Sequence, residues 1–160
     1  MKVLLKIVGG VLVFVILALV VLRVTGLNPH ERTPGLWLTG NLNTSPVPDW
    51  SFTDNTKTVK VQTNSWYLLP HSVTTFCIAA NGQLYLATTK PETRAWTRNV
   101  ARDPHVRLKI GDQLFDRTLS TVTDPGEKES VLQARAKKYA QKYPPPGGVD
   151  AWSVFHVVSE

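Results

Sequence analysis

The chain has 160 residues and a formal net charge of +6, but three of its 18 basic residues (Lys2, Lys6, Arg23) and none of its 12 acidic ones lie in an apolar N-terminal segment, so the remainder carries only +3. With no Lys/Arg block and no recognition-helix pattern, that balance excludes nucleic acid as an expected partner. The lone cysteine, Cys77, excludes an internal disulfide, and the four histidines are too scattered to give a zinc-ligand spacing.

Ile7 to Leu22 is an uncharged run that, extended back over Val3 to Leu5, gives about 20 residues interrupted by Lys6. At ~1.5 Å per residue this reaches roughly 30 Å, the hydrocarbon thickness of a bilayer. A cleaved signal peptide has a shorter apolar core and a small-residue site after it. Here the run leaves through Arg23-Val24-Thr25-Gly26-Leu27, so the expectation is a retained single-pass anchor over residues 1–26 in contact with membrane lipid. Lys2 and Lys6 before the run favour a cytoplasmic N-terminus and a domain on the far side, periplasmic or extracellular.

Residues 27–57 contain Pro29, Pro34, Pro46 and Pro48, which exclude a regular helix or central strand. They also contain Trp37, Trp50 and Phe52, which are costly to leave in water, so an ordered irregular connection is expected. From residue 58 onward a domain over 58–160 is expected. Thr58 to Thr63 alternates as a half-buried strand, and Val73 to Ala80 is a second. Asn81-Gly82 is a two-residue hairpin signal leading into Gln83 to Thr88. Arg94 to Arg102 has helical composition and stops at Asp103-Pro104. His105 to Ile110 alternates, with Val106, Leu108 and Ile110 on one face, and Gln113 to Val122 follows a Gly111-Asp112 turn.

A helix then opens at Asp124 as N-cap, with Pro125 at the first position and Glu127 three residues after the cap. Val131, Leu132, Ala134, Ala136 and Tyr139 form its apolar stripe, and Lys128, Arg135, Lys137, Lys138 and Lys142 are read as largely its solvated face. The run Pro144-Pro145-Pro146-Gly147-Gly148 is expected to stop it, and Trp152 to Val158 reads as a last strand. The predicted fold is mainly β (α+β): a six-stranded antiparallel barrel with two accessory helices behind one transmembrane helix.

Hydrolase and nucleotide-binding signatures are absent: there is no G-x-S-x-G, H-E-x-x-H, G-x-x-x-x-G-K-[ST] or G-x-G-x-x-G, and no acid stands in an apolar setting. The specific pattern is Trp96-x-x-Asn99-x-x-x-x-Pro104-x-Val106, placed between a hairpin and an alternating strand. It resembles the flavin-binding split β-barrel family, the pyridoxamine 5′-phosphate oxidase-like proteins, and most closely their deazaflavin-dependent nitroreductase-like branch. The resemblance covers about Val59 to Val158.

That resemblance implies a cofactor, FMN or deazaflavin, whose ring lies across strand backbones and which itself carries the redox chemistry. It implies that Ser72, Val73 and Thr74 lie beneath the ring, that Lys90 and Arg94, with Arg98 in reserve, meet the phosphate, and that Trp66 and Tyr67 wall the pocket. His71 stands where the family's ring-site strand commonly opens with a basic residue, and Trp96 stands where other branches carry Lys or Arg. It further implies a homodimer with the site built across two chains. The expected activity is that of a membrane-anchored oxidoreductase. The alternative is a non-catalytic split-barrel module or accessory subunit of a membrane complex, binding haem or another ligand, with His71 as the best-placed haem residue.

Overall fold

The computed structural model describes residues 1–67 and 69–158. Helix α1 (Lys2–Thr25) buries none of its residues against the rest of the chain, and its length and composition suffice to cross a membrane. Beyond it the chain runs along the barrel wall. Gly35 exchanges two main-chain hydrogen bonds with Ser72 (2.8 and 3.0 Å). A Cβ at Gly35 would stand 2.1 Å from the Leu27 carbonyl oxygen, so only glycine permits this approach. Strand β1 (Asn41–Leu42) then adds two residues in parallel to Gln113 and Leu114. Trp50, 1% exposed, enters the core, and its main-chain N–H donates to Gly82 O at 2.8 Å.

The barrel itself comprises β2 (Thr58–Asn64), β3 (Pro70–Ala80), β4 (Gln83–Thr89), β5 (His105–Ile110), β6 (Gln113–Thr121) and β7 (Trp152–Val158). The order β2-β3-β4-β7-β6-β5 closes through the β2–β5 pairing, and all six contacts are antiparallel. Asn81 and Gly82 both have positive φ (52° and 76°), the requirement of the tight two-residue turn that joins β3 to β4. Alternation fills the interior: Val59 and Val61, Leu84 and Leu86, Val106, Leu108 and Ile110, and Phe155 and Val157 all belong to one buried cluster. Helix α2 (Ala95–Arg102) caps this cluster with Trp96 and Val100. Trp96 meets Phe155 edge-on, with centroids 5.3 Å apart.

Helix α3 (Pro125–Lys138) covers a second cluster on the outer face of β3, β4 and β7, built from Ile78, Tyr85, Val131, Leu132 and Val154. Asp124 Oδ1 accepts from the Glu127 N–H at 2.7 Å, the expected N-cap. The Glu127 carboxylate accepts from Tyr85 Oη at 2.9 Å. Burial first, and then this carboxylate, push the Tyr85 phenol up to about 12.

Several boundaries differ from the sequence reading. Strand β3 begins at Pro70, three residues early, because it pairs with β2 down to Asn64. Helix α3 ends at Lys138, well before the prolines, where Tyr139 is the C-cap and Ala140 turns left-handed (φ 49°). Arg135 and Lys138 are not on a solvated face. Arg135 is 6% exposed, with its guanidinium carbon 4.1 Å from the Trp152 ring centroid. Lys138 Nζ donates to the Thr53 and Cys77 carbonyls, both at 2.9 Å. Long cationic side chains can lie along apolar surface and still satisfy their heads on π faces and main-chain oxygens. Cys77 is buried, and that burial pushes its thiol pKa up.

Candidate functional site

Strands β3 and β4 are paired only from Cys77↔Leu86 to Ala80↔Gln83. Below that point β3 continues against β2 as far as Asn64↔Pro70, while β4 turns to β7 as far as Thr89↔Trp152. The two strands part, and a cleft of about 950 Å³ opens between them. Its floor comprises residues 73–76 of β3 and 87–89 of β4. Glu31 to Pro34, the start of α2, and Arg135 with Trp152 form its walls.

The direction of the main chain follows from the register. Ser72 directs its N–H and C=O away from β2, to Gly35. In an antiparallel ladder these groups alternate sides, so Thr74, two residues on, points its own N–H and C=O the same way, across the split. The Thr74 hydroxyl is buried with no hydrogen-bond partner. An orphaned hydroxyl beside outward-facing peptide groups is a polar edge suited to a planar heteroaromatic ligand.

Charge at the cleft is mostly positive. Arg32, Arg94 and Arg135 line it, against the carboxylate of Glu31. Arg94 is exposed, in an extended conformation just before α2. Arg135 is the buried one: its Nη1 donates to Gln141 Oε1 at 2.5 Å, its Nε is without a partner, and burial lowers its pKa. His71 also lines the cleft, and burial lowers its pKa too, which favours the neutral imidazole.

A buried relay fixes α2 against this floor. Asn99 Nδ2 donates to Thr63 Oγ1 at 3.0 Å, and the Thr63 hydroxyl donates to His71 O at 3.0 Å. The Asn of the Trp96-x-x-Asn99 spacing thus ties the helix that presents Arg94 to the strand that presents Thr74.

Of the residues singled out in the sequence, His71, Val73, Thr74, Arg94 and Trp96 come together at the cleft. Ser72 lies beside it on β3 but is fully buried against Gly35. Lys90 is exposed in the β4–α2 turn, where its carbonyl accepts from the Thr93 N–H at 3.0 Å. Arg98 turns back to donate to Glu92 O at 2.9 Å. Trp66 and Tyr67 lie away from the cleft on the β2–β3 loop, exposed and edge-to-face at 5.5 Å. Among the cleft residues that escaped the sequence reading are two arginines. Arg32 was hidden in a proline-rich connection without periodicity. Arg135 had a usable signal, since it lies four residues after Val131 and three after Leu132, on the buried stripe.

No protein-family model matches the chain, and no curated protein matches it in sequence. Solved structures do match. A putative pyridoxamine 5′-phosphate oxidase from Listeria innocua aligns with 69% of this chain and 89% of its own, at 20% identity and a TM-score of 0.53. An F420 reductase aligns over 72% and 96%, at 17% identity and a TM-score of 0.54. The haem storage protein HutZ from Vibrio cholerae aligns over 69% and 86%, at 14% identity and a TM-score of 0.51. The chain therefore has the split-barrel fold of the pyridoxamine 5′-phosphate oxidase-like and F420 reductase proteins.

Proposed function

We propose that this chain is a membrane-anchored split-barrel protein that binds FMN or deazaflavin in the β3–β4 cleft and acts as an oxidoreductase. The observation that carries the reading is the unpartnered Thr74 hydroxyl on an open strand edge, with arginines of three separate segments around it. The residues present fit such a cofactor. Thr74 and its peptide groups would meet the polar edge of the ring, and the apolar flank of Val73 and Ala87 would lie against its face. Arg94 and Arg32 would hold the phosphate by charge-assisted hydrogen bonds. When bound, the cofactor supplies the redox chemistry, so the cleft needs no acid–base dyad. The chain's own part is to bind, orient and exclude water. Arg135, already held by Gln141 and Trp152, sets the positive field more than it donates.

In this reading residues 1–26 are the anchor, 27–57 an ordered connection and 58–160 the barrel. Lys2 and Lys6 support an N-terminus in the cytoplasm with the barrel on the far side. The cleft is open on one side, and a second copy of the chain would cover it in a homodimer.

A second reading uses the same cleft for haem. It is favoured by the neutral imidazole of His71 on the cleft wall, which is chemically competent as an iron ligand. The full chain, purified in detergent and titrated with FMN, F420 and haemin, separates the two by its absorption spectrum. A flavin or deazaflavin band retained through gel filtration supports the first reading. A Soret band lost in His71→Ala supports the second. Failure to take up either isoalloxazine-type cofactor overturns the oxidoreductase.

A further inference from the structure

Helix α1 ends against one rim of the barrel and is fixed there. Its C-cap, Gly26, has φ 75°, and a Cβ at this position would stand 2.7 Å from the Thr39 side chain. Leu27 is then tied in by main-chain bonds: its N–H donates to Trp37 O at 3.0 Å, and its C=O accepts from the Leu36 N–H at 2.8 Å. In the last turn, the Arg23 guanidinium lies 5.9 Å from the Trp37 ring centroid. Helix α1 buries none of its own residues, so it leaves this rim without lying down along the barrel wall. With α1 across a bilayer, the membrane surface passes at Arg23, where a basic residue ends the apolar run.

The β2–β3 loop stands on the same rim. Ser65 and Leu69 line a hollow of about 510 Å³ together with Arg23 and Trp37. The Ser65 hydroxyl donates to Leu69 O and closes the neck of the loop, just beyond the last β2–β3 pair, Asn64↔Pro70. Past that neck Trp66 and Tyr67 are 78% and 48% exposed, and their rings meet edge to face at 5.5 Å. From residue 27 onward no described large apolar side chain is more exposed than Trp66. Beside the neck, the Asp103 carboxylate is bonded to Asn64 Nδ2 at 2.7 Å and to His105 Nδ1 at 2.8 Å, and Arg102 donates to Asn64 O. The surroundings of the rings thus combine cations with a carboxylate already satisfied. Two large rings are costly to hold in water, but each has an apolar body and a polar tip, the chemistry favoured at a membrane–water interface. We infer that Trp66 and Tyr67 insert at headgroup level into the lipid surface that α1 crosses, giving the barrel a second foot on the membrane beside its anchor. The inference rests on α1 being a membrane anchor and is independent of the cofactor cleft.

The test uses the full chain in phosphatidylcholine vesicles and reads the Trp66 component of the fluorescence, the difference between wild type and Trp66→Phe. That component should lose about half its intensity when the lipid is brominated high on its acyl chains, near the headgroup boundary. Iodide present on both sides of the membrane should quench it about tenfold less than it quenches N-acetyltryptophanamide in the same suspension. A Trp66 component that iodide quenches like the free indole, and that brominated lipid leaves untouched, overturns the inference. A component shielded from both quenchers also overturns it, and assigns the rings to a protein contact such as a second copy of the chain. Failure of the anchor reading is distinguishable: the wild-type chain would then be stripped from vesicles by alkaline carbonate. A chain that resists carbonate but fails the quenching test has an anchor and no second foot.

Discussion

Asn99 on α2 donates to the hydroxyl of Thr63 on β2, and both residues are buried. Through Thr63 the bond continues to the His71 carbonyl, so one amide couples the short helix to two strands. Replacing Asn99 by Ala leaves the Thr63 hydroxyl with one partner fewer in a dry site and opens a small void, which should cost about 1–3 kcal/mol. Thr63→Val conserves shape and removes the relay from its other side. If the two residues act as one unit, the double variant is less destabilised than the sum of the singles, as measured by urea denaturation. Additive losses would show that they act independently.

The same amide explains what could be read in advance. The strands from 105 to 121 and the hairpin at Asn81-Gly82 were legible because alternation and turn chemistry are local properties. The cleft was legible only in part. Thr74 and Arg94 could be placed by resemblance, but the parting of β3 from β4 is a matter of which partner each strand takes, and no local pattern encodes it. Lys90 and Arg94 looked equivalent in sequence, four residues apart. A left-handed residue at Lys90 (φ 51°) and an extended one at Arg94 aim them differently.

The cofactor reading makes those two cations unequal. Arg94→Ala and Thr74→Val should each weaken FMN or deazaflavin uptake about tenfold, the loss of one charge-assisted or buried hydrogen bond. Lys90→Ala and Arg98→Ala should leave it within about twofold, since neither lines the cleft, a change worth only tenths of a kcal/mol. Fluorescence titration of the full chain in detergent measures all four. Equal effects at Lys90 and Arg94 would contradict the geometry.

Arg135 stacks on Trp152, and the contact should stabilise the fold despite the buried charge. Arg135→Ala removes the guanidinium from the faces of the Trp152, Tyr139 and Phe76 rings together with the buried stem that carries it, at an expected cost of about 1–3 kcal/mol. Arg135→Met keeps most of the packing while removing the charge, so its loss should be smaller. Thermal unfolding of the two variants decides whether packing or charge dominates. A more stable Arg135→Met protein would show that desolvation outweighs the cation–π contact.

Acid should loosen the β5–β6 hairpin before the rest of the barrel. Hydrogen bonding to Arg107, the dominant influence, holds the Asp116 carboxyl below its usual range, and hydrogen bonds from Asn64 and His105 do the same for Asp103 at the start of β5. A carboxyl whose folded pKa lies below its unfolded value contributes stability that is fully present above the unfolded pKa, about 4, and is lost as pH falls through the folded one. Both groups are partly exposed, so solvent screening keeps each contribution small. The two carboxyls should therefore make the urea midpoint of the wild type decline below about pH 4, beneath a separate loss that begins near pH 6.5, where the unfolded chain protonates His71 and the folded one resists it. In Asp116→Asn the midpoint should start lower and decline less steeply. An unchanged slope would mean that the Arg107–Asp116 pair, although two-pronged at 2.7 and 2.8 Å, adds nothing to the folded state.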